Sequence, residues 1–452
     1  MNRRIAIIGA GPRALGALEA LARQDLHGWH VAVFDPEATP GAGPNFDPAQ
    51  SPLCLLNLPI RAVDLPRAPS GFAGFADWLG ETGADGDRFP SRTELGAYLA
   101  ARWQALAAAA PFSLDLHRAR VQAAERGRDG WHLRTEDASH GPFAELLLTQ
   151  GQPSTRPDKQ LARWQKHAQA TGATIMPAYP ADALLDAARD WTGRNVAIRG
   201  LGLATLDVLR LLTLGAGGSF RDGRYLPSGR EPARILPFSR DGLPPCPKPA
   251  SAALDSAMAP TAEETAAFAN TLTRALTDPD PVSALCEALI APTQRILAAQ
   301  GAKAHEADVR HWLDQEREAP GSQGPQEPLA ALKAGIAMAS GSVPPDPGYV
   351  IGQIWRHWQP ILRQGFDPAP PPPDTAAALL AFDEPLKRYS YGPPLNAAQE
   401  LLALAQAGLV DLRAADDPKV LMTDDGWQLV EADASARASV MVDAVLPAPD
   451  LD

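Results

Sequence analysis

The chain has 452 residues, enough for two or three domains, with 45% hydrophobic and 21% charged residues, an ordinary balance for a globular protein. Its three cysteines, Cys54, Cys246 and Cys286, are far apart in sequence, which excludes a disulfide framework, a zinc knuckle and a C-x-x-C redox pair. The formal net charge of −12 argues against nucleic acid as a partner, and no long uncharged apolar stretch predicts a membrane span, so we expect a cytoplasmic protein.

The chain begins with the pattern of a βαβ unit. Residues 4–9 form a short apolar run typical of a buried parallel strand, residues 12–24 have helical periodicity, and residues 30–34 form a second apolar run. A strand, a helix and a second strand of these lengths make one complete unit of the kind that builds parallel sheets.

The turn between the first strand and the helix carries the strongest motif, the G-x-G-x-x-A pattern of Gly9, Gly11 and Ala14. Gly9 permits the tight turn, Gly11 lets a pyrophosphate approach the backbone, and Ala14 lets the helix pack closely on the strand. The helix N-terminus offers free N–H groups to the phosphates, and Asp35 at the end of the second strand is placed to accept a ribose hydroxyl. The motif therefore predicts a dinucleotide site.

The next part of the chain mixes a long loop with further elements. Residues 36–75 are rich in Pro and Gly and predict a long ordered loop, which is usually functional when it lies inside a domain. We then expect a helix over 93–110, short strands over 113–135 and a buried strand over 145–149.

A second βαβ pattern starts at Asn195, with strands at 196–200 and 234–238 around a helix at 203–214. Gly200 and Gly202 repeat the glycine spacing, but Thr205 takes the sixth position. The pattern fits either a second dinucleotide site or a turn that simply needs glycines. Ser239 and Arg240 follow the second strand, and an Arg there suits a 2′-phosphate, so a working site favours NADPH over NADH.

The remainder of the chain predicts helices over 255–340, a proline-rich linker over 367–374, a helix over 396–407 and short strands over 409–446. The fold class is therefore α/β, with two Rossmann-like dinucleotide-binding domains and a mainly helical insertion. We expect the first domain over 1–155, the second over 156–250 plus about 380–435, and the insertion over 251–379. The sequence predicts no metal site and leaves the oligomeric state open.

Two dinucleotide motifs in one chain resemble a two-dinucleotide-domain flavoprotein. More closely, the chain resembles the bacterial FAD-NAD(P)-binding family that includes flavin-dependent N-hydroxylating monooxygenases acting on amino acids. The stretches that carry the resemblance include GAGPRALGAL from Gly9, PGAGPNFD from Pro40, LLNLPIRAV from Leu55, FPSRTELGAYL from Phe89, LLLTQGQP from Leu146, YLPSGREP from Tyr225 and YGPPLNAAQELLALAQAGLV from Tyr391.

The resemblance implies cofactors and site residues. FAD would occupy the first domain and NADPH the second. The ADP half of FAD would contact Gly9, Gly11, Pro12, Arg13 and Asp35. Gly41 and Gly43 would wrap the nucleotide, Asn57 would lie near the flavin ring, and Thr149 and Gly151 stand where such flavoproteins often have A-T-G, although Gln150 departs from that pattern.

The resemblance also implies a return strand at 440–446 that completes the FAD domain, followed by a helix facing the flavin. Only Pro447–Asp452 follows that strand here, so we expect weak FAD retention and little coupled hydroxylation from this chain.

The implied function is an FAD-dependent, NADPH-using oxidoreductase, an N-hydroxylating monooxygenase acting on a small amine or amino acid. Asn57 would bond to the flavin, and Arg92 would pair either with a substrate carboxylate or in a structural salt bridge. Two alternatives stay open, an FAD/NAD(P)H oxidoreductase with another electron acceptor and a nucleotide-binding protein without turnover.

Overall fold

The computed structural model describes residues 3–24, 26–37, 39–81, 86–151, 155–302, 305–367, 371–432 and 434–446. The chain forms two compact units, the first built mainly from residues 1–162 and the second from residues 163–179 and 183–445. Each unit contains a four-stranded parallel sheet, which confirms the α/β class with two Rossmann-like halves.

The first unit is a parallel sheet with a small antiparallel sheet inserted before its last strand. Its elements in chain order are β1 (Arg4–Ile8), α1 (Pro12–Ala22), β2 (His30–Phe34), α2 (Phe75–Leu79), α3 (Arg92–Ala109), β3 (Ser113–His117), β4 (Ala123–Arg126), β5 (Trp131–Arg134), β6 (Ser139–Phe143) and β7 (Glu145–Leu148). The parallel sheet has the order β3-β2-β1-β7, and β4-β5-β6 form the antiparallel one. The long loop expected over 36–75 contains only two short 3₁₀ turns, at 44–46 and 60–62, before α2.

The core of the first unit explains why these elements form. The apolar runs of β1 and β2 are buried, as expected for central parallel strands covered on both faces. Leu15 and Leu18 of α1 pack in one cluster with Tyr98 and Trp103 of α3. This packing fixes the carboxyl ends of the strands, where the glycine turn lies.

The second unit contains the expected βαβ pattern. Its first elements are α4 (Lys159–Thr171), β8 (Thr174–Pro177), α5 (Ala181–Ala188), β9 (Asn195–Arg199), α6 (Leu203–Thr213), β10 (Ser219–Arg221), β11 (Arg224–Leu226) and β12 (Arg234–Phe238). The expected pattern is formed by β9, α6 and β12, and its two strands pair in parallel, with Val196 opposite Ile235.

A block of helices follows β12. It contains α7 (Ala252–Ala257), α8 (Ala262–Ala275), α9 (Pro281–Ala299), α10 (Glu306–Glu318), α11 (Pro328–Ala339), α12 (Pro347–Phe366) and α13 (Pro373–Ser390). These helices have an apolar core of their own, which includes Phe268, Trp355 and Phe382. The expected boundary between the helical insertion and the second domain, at residues 379 and 380, therefore falls inside α13, because that helix packs on this core. The proline-rich segment joins α12 to α13, and its residues 368–370 lie outside the described ranges.

The chain then returns to the second parallel sheet through α14 (Leu395–Gln406), β13 (Lys419–Thr423), β14 (Gly426–Glu431), β15 (Ala434–Ala438) and β16 (Val440–Asp443). The strands β13-β14-β15 form an antiparallel sheet, and the parallel sheet has the order β12-β9-β16-β8. Between α14 and β13, the backbone runs parallel to β12, with bridges from Ile235 to Val410 and from Ser239 to Asp416.

The prediction that residues 440–446 return to the FAD domain is wrong. Val440–Asp443 pair in parallel with β8 and β9. This last strand therefore lies beside β9 in the second sheet, as β7 lies beside β1 in the first. The two units repeat one topology of strand, helix, strand, helix, edge segment, three-stranded antiparallel sheet and closing strand. A short apolar run specifies burial on both faces but not which sheet supplies the neighbours. The expectation of weak FAD retention and little coupled hydroxylation rested on that return strand, so it no longer follows. The segment expected to be too short for a helix, 447–452, lies outside the described residues.

Candidate functional site

The first glycine of the N-terminal turn is required by the packing of the protein itself. Gly9 has φ +99°, and a Cβ there would lie 2.5 Å from the carbonyl oxygen of Thr149. Its N–H donates to the Phe34 carbonyl over 2.8 Å. Gly9 therefore lets the ends of β1, β2 and β7 come together in a tight turn.

Gly11 differs, because packing within the described chain does not require a glycine there. Its φ is −78°, and a Cβ would meet only the Gly43 Cα, 3.8 Å away. Gly11 is the N-cap of α1, with Pro12 and the exposed Arg13 beginning the helix and no side chain capping its first N–H groups. The space left by the missing side chain faces uncapped N–H donors, an arrangement that fits a pyrophosphate. Ala14 is fully buried, which lets α1 approach the sheet.

The loop after β2 lies against this turn. The Gly41 N–H donates to the Ala10 carbonyl over 2.6 Å, and a Cβ on Gly41, at φ +90°, would lie 2.5 Å from the Leu99 carbonyl oxygen. Gly43 has φ +66°, and a Cβ there would lie 3.4 Å from the Gly11 Cα. Both glycines therefore hold the loop beside the N-terminus of α1, where the resemblance predicts that the nucleotide is wrapped.

Asp35 is half-buried at the end of β2 and supports the turn. Its Oδ2 accepts from the Ala10 N–H over 2.5 Å, and its Oδ1 accepts from the Glu37 N–H over 2.8 Å. A carboxylate has about four lone-pair sites, so these two bonds leave room for a ribose hydroxyl. The ribose contact stays a prediction.

Thr149 and Gly151 follow the closing strand. The Thr149 hydroxyl donates to the carbonyls of Ile8 and Gly9, at 3.0 and 2.9 Å. Gly151 has φ +81° and open space around its Cα. The hydroxyl thus ties the end of β7 to the glycine turn, a contact that the departure at Gln150 does not disturb.

The structure brings the segments of Asn57 and Arg92 together. The Leu56 N–H donates to the Pro90 carbonyl over 2.8 Å, and the Arg92 N–H donates to the Cys54 carbonyl over 2.9 Å. The Arg92 Nε also lies 3.4 Å from the Leu55 carbonyl oxygen. Arg92 is the first residue of α3. A positive charge at a helix N-terminus is unfavourable because of the helix dipole, and a nearby anion would offset this. Neither the flavin contact of Asn57 nor the substrate contact of Arg92 is tested by this geometry.

The second glycine turn has the same construction as the first. Gly200 has φ +116°, and a Cβ there would lie 3.4 Å from the Ala444 carbonyl, just after β16. Gly202 is the N-cap of α6 without a side-chain cap, and a Cβ on it would meet nothing within 4 Å among the described residues. The buried Thr205 hydroxyl donates to the Gly200 carbonyl over 2.8 Å. Thr205 therefore closes the turn from within α6, as Thr149 does from β7 in the first unit.

Ser239 and Arg240 lie at the carboxyl end of β12. The Ser239 N–H donates to the Ala415 carbonyl over 2.9 Å, and its hydroxyl donates to the Asp241 Oδ1 over 2.8 Å. The Arg240 side chain is exposed. An exposed cation at this edge fits the predicted 2′-phosphate contact, which stays a prediction.

Sequence reasoning missed polar pairs that join distant segments near the second turn. The Arg199 Nη1 lies 3.3 Å from the Asp443 Oδ1, across the neighbouring ends of β9 and β16. The Tyr179 hydroxyl donates over 2.5 Å to the Asp207 carboxylate in α6. No local pattern connects these residues, because the pairing depends on which strands are neighbours.

The SGREP stretch, one of the distinctive resemblances, has a structural role in this chain. The buried Glu231 accepts from the Ser228 N–H over 2.7 Å, from the Gly229 N–H over 2.8 Å and from the Tyr225 hydroxyl over 2.7 Å. Burial disfavours the charged form, but the bonds from Ser228 and Tyr225 outweigh it and hold the pKa of Glu231 below its ordinary value. Glu231 therefore organises the turn before β12.

The described ranges contain no group of three or more His, Cys, Asp or Glu side chains able to hold a metal ion. None of their helices combines the length and apolar character that crossing a lipid bilayer requires.

Comparison with known proteins finds a family profile that matches the N-terminal part of this chain. The profile of the FAD-NAD(P)-binding family matches residues 6–153. These residues therefore form an FAD-NAD(P)-binding domain, which confirms the resemblance over this part of the chain.

Relatives of known activity are similar to about half of the chain. A nitrosuccinic acid synthase of Aspergillus oryzae is 32% identical over 275 residues, covering 54% of this chain and 41% of the relative. An L-aspartate N-monooxygenase (nitrosuccinate-forming) of Streptomyces davaonensis is 33% identical over 296 residues, covering 53% and 44%. The chain thus spans less than half the length of the curated relatives it matches. Among solved structures, the ornithine N-hydroxylase of Kutzneria sp. 744 is 13% identical with a TM-score of 0.44, covering 99% of this chain and 81% of that one.

Proposed function

We propose that this chain is an FAD-dependent, NADPH-using oxidoreductase that hydroxylates the nitrogen of a small amine or amino acid. The observation that carries the proposal is the similarity to two enzymes that form nitrosuccinate, 32% and 33% identical over about half of the chain. The two glycine turns of equal construction supply a place for each of the two nucleotides that such a reaction uses.

The first unit is proposed to hold FAD. Gly11, Pro12 and Arg13 would face the pyrophosphate at the N-terminus of α1, and Asp35 would accept a ribose hydroxyl. Gly41 and Gly43 would cover the nucleotide from the adjoining loop. Gly9, Ala14, Thr149 and Gly151 would act by shaping the turn, because the first three contact the protein itself and Gly151 has a left-handed backbone.

The second unit is proposed to hold NADPH. Gly200 and Thr205 shape the turn, and Gly202 leaves the N-terminus of α6 open to the pyrophosphate. Ser239 and Arg240 are proposed to read the adenosine ribose, with the Arg240 guanidinium paired with the 2′-phosphate.

Bound FAD, once reduced by NADPH, supplies the oxygen activation that N-hydroxylation needs. The protein is left with positioning and electrostatics. Asn57 is proposed to donate a hydrogen bond to the flavin ring. Arg92, held over the backbone of Leu55 near Asn57, is proposed to orient an amino acid through its carboxylate.

The test is turnover of the full chain with added FAD, NADPH and oxygen against a panel of free amino acids that includes L-aspartate. We expect NADPH consumption that depends on one amino acid, with a product heavier by one oxygen atom and little hydrogen peroxide. The variant Arg92→Gln should raise KM for that amino acid about 10- to 100-fold, the loss expected for one charge-assisted bond, without changing FAD content.

Other outcomes of the assay decide between the alternatives. NADPH oxidation that yields only peroxide, or that passes electrons to an added dye, would replace the monooxygenase by an oxidoreductase with another acceptor. Bound FAD without any NADPH oxidation would indicate a nucleotide-binding protein without turnover. An unchanged KM in Arg92→Gln would remove Arg92 from the substrate site.

A further inference from the structure

The helical block of the second unit contains a cavity that the proposed function does not use. Its volume is about 250 Å³, and it lies between α9, α10 and α13. Its walls are mainly apolar, with Trp312 of α10 and Phe382 of α13 as the large side chains and Ala381 of α13 as a small one. An apolar cavity of about 150 Å³ already binds benzene, so this one has room for an aromatic ring with a short chain.

The aromatic walls are held in place by other rings. Trp312 packs edge-on against Tyr389 with ring centroids 5.3 Å apart, and Phe382 packs in the same way against Trp355, also at 5.3 Å. Both side chains are largely buried in the core of the helical block. The cavity is therefore bounded by preorganised surfaces, which lowers the entropy that a ligand must lose on binding.

One acidic side chain, Glu316 of α10, lines this apolar cavity. Glu316 is only 3% exposed. Its Oε1 accepts from the Gly321 N–H over 3.1 Å, and its Oε2 lies 3.5 Å from the Tyr389 hydroxyl, the upper limit of a hydrogen bond. Burial raises the pKa of Glu316, and the hydrogen bonds from Gly321, Gln323 and Tyr389 together with the charge of Arg388 offset this only in part.

The nearby cations contact other groups, and the charge of Arg388 offsets the burial of this carboxyl only in part. Arg388 has its Nη2 on the Tyr389 hydroxyl at 2.9 Å and its Nη1 toward Asp241 at 3.8 Å. Arg317, the next residue on α10, is exposed at the rim of the cavity. Within the described chain, Glu316 forms no ion pair with a lysine or an arginine. A buried carboxyl in this setting is stabilised by a ligand that brings its own positive charge.

We propose that this cavity binds a small primary ammonium ion carried on an apolar or aromatic body, with Glu316 as its counter-ion. The ammonium donates to Glu316 at the inner end, and the apolar body fills the space between Trp312 and Phe382, whose ring faces also attract a cation. The guanidinium of Arg317 at the rim repels a second positive charge, so the site prefers a monoamine to a diamine of similar length. This inference holds whichever reaction the chain performs.

The experiment is calorimetric titration of the full chain with phenethylammonium chloride, with 2-phenylethanol as the neutral probe of the same shape. We expect the ammonium to bind at least tenfold more tightly than the alcohol. In Glu316→Gln, which keeps the acceptor for the Gly321 N–H, the ammonium should fall to the affinity of the alcohol, and the alcohol should be unaffected. An ammonium affinity equal to that of the unmodified chain would overturn the proposal.

A second variant keeps the proposal testable if Glu316→Gln does not fold. Ala381 lines the cavity from an exposed position, so Ala381→Trp adds volume there without cutting into the core. We expect it to abolish binding of both probes while the unfolding midpoint stays unchanged. Binding of neither probe to the unmodified chain, or full binding to Ala381→Trp, would also contradict the site.

Discussion

At the scale of single residues, Lys248 has the most unusual environment. Its side chain is 6% exposed, and its Nζ donates to the Gly392 carbonyl over 2.5 Å. Burial, helped by the charge of Arg356, lowers the pKa of Lys248 to about 7, while Asp255 acts in the opposite direction. The folded protein therefore releases a proton that the unfolded chain still holds at the same pH.

This difference predicts a pH-dependent stability. Between pH 7 and the ordinary lysine value of 10.5, the unfolded chain binds one proton more at this position, so the free energy of unfolding should rise with pH. Below pH 7 both states are protonated and the contribution is constant. Lys248→Met should lack the rise, so its stability relative to the unmodified chain should fall by up to about 1.4 kcal/mol per pH unit across that window.

Urea unfolding at pH 7, 8 and 9 measures this slope. Lys333→Met, at an exposed position on α11, is the matched control and should show no difference in slope. If the free energies of unfolding of Lys248→Met and of the unmodified chain change in parallel with pH, Lys248 stays charged when buried.

At the scale of elements, the strand-turn-helix of the first unit separates two kinds of glycine. Gly9 is required by its positive φ and by the Thr149 carbonyl, whereas Gly11 faces open space beside the N-terminus of α1. The first glycine is therefore required by the fold, whereas the second is proposed to be required by the ligand.

The variants Gly9→Ala and Gly11→Ala should behave differently in the absence of flavin. Gly9→Ala should cost about 2–4 kcal/mol, because the left-handed backbone and the crowded Cβ each add strain. Gly11→Ala should stay within about 0.5 kcal/mol of the unmodified chain, as an uncrowded substitution does. Denaturant unfolding of the flavin-free protein measures both, and equal losses would show that the two glycines have the same role.

At the scale of the whole molecule, the chain repeats one topology in two units, each with its own glycine turn and closing strand. In the first unit, residues 36–91 connect the second strand, β2, to the long helix α3. In the second unit, the helical block makes the corresponding connection, from β12 to α14. Each proposed nucleotide site then lies within one unit. A variant that abolishes binding at one site should therefore leave binding at the other unchanged.

A reciprocal pair of variants tests this separation. Gly11→Val should abolish FAD binding, because its side chain fills the space for the pyrophosphate, and should leave NADPH affinity unchanged. Arg240→Ala should weaken NADPH about 10- to 100-fold more than NADH, as expected for loss of one charge-assisted pair, and should leave FAD content unchanged. Flavin absorbance and calorimetric titration give the two readouts. Equal losses of NADPH and NADH would mean that Arg240 does not read the phosphate.

The sequence by itself determined the features that depend on neighbouring residues. The β1-α1-β2 unit, the helix predicted over 203–214 and found at Leu203–Thr213, and the tight turn at Gly9 follow from apolar runs and from glycine spacing, because burial on both faces and a tight turn impose those patterns locally. The resemblance added the identity of the first nucleotide, which the glycine pattern leaves open.

Only the tertiary structure decided the features that depend on distant pairing. Val440–Asp443 has the pattern of any buried strand, and its place beside β9 was set by which sheet had a partner for it. The Arg199–Asp443 pair and the cavity at Glu316 likewise arise where segments far apart in sequence meet. A local pattern records whether a residue is buried, whereas its partner is fixed by the free energy of packing the whole chain.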